Sequence, residues 1–239
     1  MTEASENKKN IQTPGDGGIE IRGLIKEFRG ERETIQVLRD LDLIVPPGSI
    51  ASVEGASGAG KSTLLNIIGT IDHPSSGMVR LDSQDVTGMT EREKETFRAH
   101  RLGFIFQHHY LLPDFTVLEN AMMPLLIQRK PAGPGRADAI KYLEMVGLGE
   151  RLHHYPTQIS GGEMARAGVA RALVGGKRLI LADEPTGNLD KQNSDRLADL
   201  LWRLQSELKF TLLIVTHDME LASRVPVRHR LIDGALRSI

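Results

Sequence analysis

The stretch Gly55-Ala56-Ser57-Gly58-Ala59-Gly60-Lys61-Ser62-Thr63 sets three glycines ahead of a lysine and two hydroxyls. It follows the apolar run Ser49–Val53 and precedes the helical pattern Leu64–Ile68, the strand–loop–helix setting that a phosphate-binding P-loop requires. Glycines let the backbone curl closely enough to aim N–H groups at phosphate oxygens, and the following helix N-terminus adds a favourable dipole. Lys61 is expected to place a point charge at the β- and γ-phosphates, and Ser62 to give an oxygen to Mg²⁺. The implied ligand is ATP or GTP.

Two further clusters bear on the chemistry. Leu179-Ile180-Leu181-Ala182-Asp183-Glu184 is an apolar run ending in adjacent carboxylates. Neighbouring side chains on a strand point to opposite faces, but at the strand's end the backbone can turn. Asp183 is assigned to Mg²⁺, through water, and Glu184 to activation of the attacking water as general base. Alone, the pair would read as a solvated strand end; its place after the P-loop and the next motif decides otherwise. That motif is Ile159-Ser160-Gly161-Gly162-Glu163. Ser160 with Glu163 three residues on reads as a capping box, yet two glycines inside a first helical turn are poor helix formers. A helix N-terminus with a free hydroxyl and glycine N–H groups is an anion site, and the natural anion is a nucleotide γ-phosphate.

These residues need elements to hold them. Alternation predicts strands at Ile19–Phe28 and Val37–Val45 ahead of the P-loop strand. The turn Pro74-Ser75-Ser76-Gly77 leads to a strand at Met78–Leu81, Thr90–Arg98 reads as an exposed helix, and Leu102–Phe106 as a short buried strand. Residues 107–173 are mostly helical in pattern, interrupted at Arg129–Gly135 by an expected loop. Alternation of strand and helix then resumes with Arg178–Ala182, Lys191–Leu208, Thr211–Thr216 and short C-terminal strands. The fold class is α/β: a P-loop NTPase core with a mixed sheet, N-terminal antiparallel strands and an inserted α-helical subdomain at about 107–173. One nucleotide-binding domain is expected over residues 19–239, preceded by a polar, disordered tail, Met1–Gly18.

Composition limits the alternatives. The 239 residues are 40% hydrophobic, enough for a sizeable core, with 30 Lys+Arg against 31 Asp+Glu. No basic run dominates, which argues against a nucleic-acid partner. There is no cysteine, hence no disulfide framework or thiolate metal site, in keeping with a reducing cytosol. No apolar run approaches the ~20 residues that cross a bilayer, so membrane work is expected to fall to a partner. His108-His109 and His153-His154 lack the spacing of a zinc site and are read as surface or loop residues.

Taken together, the P-loop, the Ser-Gly-Gly signature and the Asp-Glu pair occur in the order seen in the ATP-binding subunits of ABC transporters, which the chain resembles from Ile19 to its end. The resemblance implies that Ser160, Gly161 and Gly162 act in trans, closing over ATP held by a second copy in an ATP-dependent homodimer. It implies that Gln107, ending Gly103-Phe104-Ile105-Phe106-Gln107, contacts the metal and serves as the hinge to the helical subdomain. Asp190, in Gly187-Asn188-Leu189-Asp190, then lies at the dimer seam, and His217, in Thr216-His217-Asp218, reads the γ-phosphate. Phe28 matches the family's adenine-stacking aromatic. By strand parity it falls with Glu20, Arg22 and Lys26, away from Ile19, Ile21 and Ile25.

The segments Gln107–Asn120, Met122–Leu126 and Ala182–Asp190 are similar to those of the lipoprotein-releasing (LolD-type) ATPases, with macrolide-efflux (MacB-type) and cell-division (FtsE) ATPases as near relatives. The implied function is an ATP-hydrolysing motor on the cytoplasmic face of a bacterial inner membrane. It would be peripheral and bound to integral permease subunits of the LolC/LolE kind, which handle the lipoprotein cargo; an efflux or division motor is the alternative. Departures are Ile159 where leucine is usual, Glu163 where glutamine is common, and Met164-Ala165 in place of two glutamines. The apolar residues Leu111, Leu112, Phe115, Val117 and Leu118 are expected to divide between the insert's core and a groove for the permease. A nucleic-acid or ribosome-acting ABC protein would carry two ATPase halves or a long coiled coil. A non-hydrolysing ATP binder would not need Glu184 and His217.

Overall fold

The computed structural model describes residues 18–30 and 33–239. Apart from Gly18, the tail expected at Met1–Gly18 lies outside the described residues.

The described residues form two sheets. The first, in the order β2-β1-β4-β5, is antiparallel and comprises β1 (Ile19–Arg29), β2 (Thr34–Val45), β4 (Ser76–Leu81) and the short β5 (Gln84–Asp85). The second has the order β10-β9-β3-β8-β7-β6, from β3 (Ile50–Glu54), β6 (Leu102–Phe106), β7 (Leu179–Asp183), β8 (Thr211–Thr216), β9 (Val227–Ile232) and β10 (Ala235–Ser238). All its pairs are parallel except β9 with β10. Parallel strands are covered on both faces and so read as continuous apolar runs. In β7 and β8, Ile180, Ala182, Leu212 and Ile214 enter one core. The residues between them, Leu179, Leu181, Leu213 and Val215, enter the other.

Each core has its own helical cover. The first packs the sheet against α5 (Gly161–Leu173) and α6 (Lys191–Leu208), and extends into α3 (Val117–Ile127) and α4 (Ala132–Met145). The second joins the sheet to α1 (Lys61–Ile68), α2 (Glu91–Arg101) and the buried face of the antiparallel sheet. Between β6 and β7 the chain passes only through α3, α4, α5 and two single 3₁₀ turns. A last short helix, α7 (Met219–Ser223), links β8 to β9. Among the described residues no helix is long and apolar enough to cross a membrane.

Local chemistry explains the element ends. Thr90, Thr116 and Ser160 each open a helix with a full capping box, and Asp190 caps α6 by accepting from Asn193 N at 2.8 Å. The loop expected at Arg129–Gly135 is shorter than its composition suggests, because α4 already begins at Ala132. Pro134 sits in the first turn, where a missing N–H costs nothing, and Gly135 N donates to Pro131 O at 3.0 Å.

Gly103 in β6 shows how closely α5 lies on the sheet. A Cβ there would come within 2.0 Å of Ala172 O and 2.7 Å of Ile180 Cδ1. Since backbone cannot yield as a side-chain tip can, Gly103→Ala is expected to destabilise by about 1–3 kcal/mol or more, the range for overpacking. The check is a fall in thermal midpoint relative to Gly133→Ala, where a Cβ meets nothing within 4 Å.

Candidate active site

The carboxyl ends of the parallel strands converge on one cleft, the usual place for ligands in an open α/β sheet. The register sets Glu54 beside Thr216, Asp183 beside Val215 and Phe106 beside Asp183. The P-loop, Gln107, Glu184 and His217 therefore leave the sheet side by side. The cleft encloses about 720 Å³ and is lined by Val37, Ser57, Gly58, Gly60, Lys61, Ser62, Thr63, Gln107, Asp183, Glu184 and His217.

The loop geometry depends on its glycines. Gly60 has φ 102° and caps α1 without any side-chain bond; a Cβ on it would stand 3.0 Å from Val37 Cγ1. The first-turn N–H groups of α1 thus have no side-chain cap, in contrast to α5 and α6, and remain available to an anion. At Gly55 a Cβ would come within 2.7 Å of Leu231 O. Lys61 arches back over the loop: its Nζ donates to Gly55 O at 2.8 Å and Ala56 O at 3.0 Å, and lies 4.0 Å from Glu184 Oε1. Gly55, Ala56 and Ala59 line the outer side of the loop with Ile35 and Arg230.

Adjacent carboxylates diverge here because Glu184 takes φ 46°, a left-handed conformation uncommon for a residue with a side chain. Asp183 turns to Ser62, with which it shares a hydrogen bond; burial first, then the charge of Glu184, raises its pKa above the usual carboxylate value. Glu184 turns the other way. Its Oε2 accepts from Thr216 Oγ1 at 2.8 Å, its Oε1 from His217 N at 2.8 Å, and His217 Nδ1 stands 2.8 Å from Oε1. One carboxylate is directed at the P-loop serine and the other is fixed in orientation by the end of β8. Two carboxylates facing one lysine leave a site short of positive charge, and Ser62, Asp183 and Gln107 together offer the oxygen donors that a hard divalent cation takes. Among the described residues no group of three or more His, Cys, Asp or Glu forms a metal cluster by itself.

The remaining expected residues lie apart from this cleft. Ser160, Gly161 and Gly162 do not line it. The hydroxyl of Ser160 is engaged rather than free: Oγ donates to Glu163 Oε2 at 2.8 Å while Glu163 N reaches Oγ at 3.3 Å. Backbone and hydroxyl bonds from Ser160, with help from Arg151, depress the Glu163 pKa to about 2. Asp190 lies at the start of α6, where Asn193 Nδ2 also donates to it at 2.8 Å, and a Cβ on Gly162 would be 3.1 Å from Asn193 Oδ1.

Phe28 is 46% exposed, opposite the 54% exposed Ile35, which lines the outer face of the P-loop. Its exposure does not follow from parity. Irregularities around Gly23 and Lys26 shift the ladder, so Leu24 and Lys26 are buried and Ile25 is only half-buried. Lys26 Nζ stands 4.8 Å from the Phe28 ring centroid.

Among the histidines read as surface or loop residues, His109 lies in the loop after β6 but is buried there, and burial lowers its pKa. Its carbonyl, with that of Tyr110, accepts from Arg171. Val117 and Leu118 belong to the core, whereas Leu112 and Phe115 are exposed. The apolar groove beside Gln107, of about 490 Å³, is lined instead by residues that include Phe104, Phe106, Tyr110, Pro124 and Ile127, and by none of the five expected there. Functional residues not read from the chain include Thr216, which holds Glu184, and Val37, which lines the cleft. The signal for Thr216 is a hydroxyl preceding His217 at a strand end.

Comparison with known proteins agrees with this geometry. The family model described as ABC transporter matches residues 38–187. The lipoprotein-releasing system ATP-binding protein LolD of Treponema pallidum is 47% identical over 218 residues, covering 91% of this chain and 96% of that protein. The LolD protein of Geobacter metallireducens is 46% identical over 216 residues, covering 90% and 96%. The dimeric structure of MJ0796, an ABC transporter cassette, superposes with a TM-score of 0.84 at 34% identity, covering 92% of this chain and 97% of that one. The same cassette is also known as a dimer in a post-hydrolysis state bound to ADP and Pi. The chain belongs to the ABC transporter family of ATPases, in its group of lipoprotein-releasing ATP-binding proteins.

Proposed function

We propose that this ATPase is the motor subunit of a complex that releases lipoproteins from the bacterial inner membrane for sorting to the outer membrane. It works as a homodimer on the cytoplasmic face of that membrane, attached to a pair of integral permease subunits. The observation that carries the catalytic part is the fixed divergence of Asp183 and Glu184 at the mouth of the P-loop.

In this reading Lys61 and the first-turn N–H groups of α1 hold the β- and γ-phosphates. Ser62, Gln107 and, through water, Asp183 would hold Mg²⁺, which when bound would supply charge neutralisation at the phosphates. Glu184, held by Thr216 and His217, takes the proton of the attacking water, and His217 Nε2 faces the γ-phosphate. Phe28 stacks on adenine. The signature of the second copy, Ser160 to Gly162, closes over the same phosphates, for which Ser160 Oγ turns its proton from Glu163 to the γ-phosphate. The groove beside Gln107 takes a short cytoplasmic helix of the permease, so that ATP-driven movement at the hinge reaches the membrane. The cargo assignment is supported by the relatives at 46–47% identity over nearly their full length.

Depletion in the native host is expected to leave outer-membrane lipoproteins stranded in the inner membrane, as read by membrane fractionation. Normal lipoprotein sorting alongside failed drug efflux or cell division would replace this reading with an efflux or division motor.

A further inference from the structure

The structure assigns Asn188 as the residue that orients Gln107, leaving the glutamine's side-chain oxygen to the cation site. The inference rests on the metal role proposed above for Gln107. The two residues are 81 positions apart and joined twice: Asn188 Nδ2 donates to Gln107 O at 2.9 Å, and Gln107 Nε2 donates to Asn188 Oδ1 at 3.3 Å. The second N–H of Asn188 meets His108 Nδ1 at 3.0 Å.

These contacts decide which way both amides face. Turning over the Asn188 amide would set its oxygen against Gln107 O and its nitrogen against Gln107 Nε2, two repulsive pairs in place of two hydrogen bonds. With Nε2 of Gln107 committed to Asn188, the acceptor Oε1 is the end left for the cleft that Gln107 lines. An amide carbonyl is a suitable ligand for Mg²⁺, whereas an NH₂ group in the same place would repel it. Gly187 completes the seat, since a Cβ on it would come within 2.8 Å of Gln107 Nε2 and 3.2 Å of its Cδ. The loop that carries Gly187 and Asn188 follows the Glu184 turn directly, with Gly187 N donating to Glu184 O at 3.0 Å. The base and the amide ligand are therefore supported by one short segment. Partners behind a metal ligand commonly contribute about 10–100-fold in metal affinity or activity when removed.

The test measures nucleotide binding rather than turnover. In the full-length chain carrying Glu184→Gln, so that ATP is not consumed, ATP affinity is titrated by fluorescence with Mg²⁺ and again in excess EDTA. Gln107→Ala, Asn188→Ala and the pair of substitutions are then compared. Asn188→Ala is expected to weaken Mg²⁺-dependent binding by about 10-fold with metal-free binding unchanged. The pair should be no weaker than Gln107→Ala alone, because residues acting through one contact are not additive. If Gln107→Ala weakens Mg²⁺-dependent binding and Asn188→Ala does not, Asn188 does not orient it and the inference fails while the metal role of Gln107 stands. No Mg²⁺-specific loss in Gln107→Ala removes both. Equal losses with and without metal in Asn188→Ala would mean that it only holds the loop together, which also overturns the inference.

Discussion

Glu184→Gln is expected to leave ATP binding intact while slowing hydrolysis by about 10²–10⁴-fold, the usual contribution of a positioned general base. That corresponds to roughly 3–5 kcal/mol of lost transition-state stabilisation. The substitution suits its surroundings. Glutamine keeps one carbonyl oxygen to accept from His217 N, and its NH₂ can donate to Thr216 Oγ1, which is able to accept as well as donate. Folding and nucleotide affinity should therefore change little, and what is lost is the basic lone pair. With cleavage stalled, ATP should accumulate a closed dimer that elutes early in size-exclusion chromatography. Turnover within a few-fold of the unaltered protein would take Glu184 out of the mechanism and direct attention to His217, whose Nδ1 lies 2.8 Å from Oε1.

The contrast between Glu184 and Phe28 shows how far such residues can be read from the chain alone. The strand Thr211–Thr216 and the helix Lys191–Leu208 coincide with their sequence ranges, because a doubly buried strand and a long amphipathic helix leave strong, regular patterns. Divergence of Asp183 and Glu184 was also foreseeable, since a strand end permits a turn. Phe28 is different: parity assumes an unbroken ladder, and the irregularities in β1 cancel that assumption. The start of α4 was hidden by Pro131, Gly133, Pro134 and Gly135, a composition that reads as a loop although a first helical turn tolerates proline. The Asn188–Gln107 pairing could not be read at all, because it joins two loops through amide orientations that no local pattern encodes. The engagement of Ser160 by Glu163 was legible as a capping box. Its consequence, a hydroxyl that must change partner before it can serve a phosphate, was not.

That consequence makes the signature the sharper subject for a test. Lys61→Ala removes the charge beside the phosphates of its own cleft, so nucleotide affinity should fall and turnover should drop by about 10²–10³-fold or more, as for other lost electrostatic clamps. Ser160→Ala should abolish turnover equally, yet the separate chain should still bind ATP, since Ser160 does not line the cleft formed by its own chain. Helix α5 would lose its cap at a cost of about 1 kcal/mol, too little to unfold the protein. Neither variant should work alone. In a head-to-tail heterodimer of the two, one site carries both lesions and the other carries neither. If one intact site can turn over by itself, random pairing in a two-fold dimer should restore at most about a quarter of normal activity. A signature acting within its own chain gives the opposite pattern, because each chain would bring one defective site and no pairing could repair either. A mixture that stays inactive although heterodimers are shown to form would therefore mean that the signature acts in cis or that both sites must be intact. Mixing Ser160→Ala with unaltered chain separates these two, since a cis signature leaves the unaltered chain's site working whereas an obligatory pair of sites silences the heterodimer.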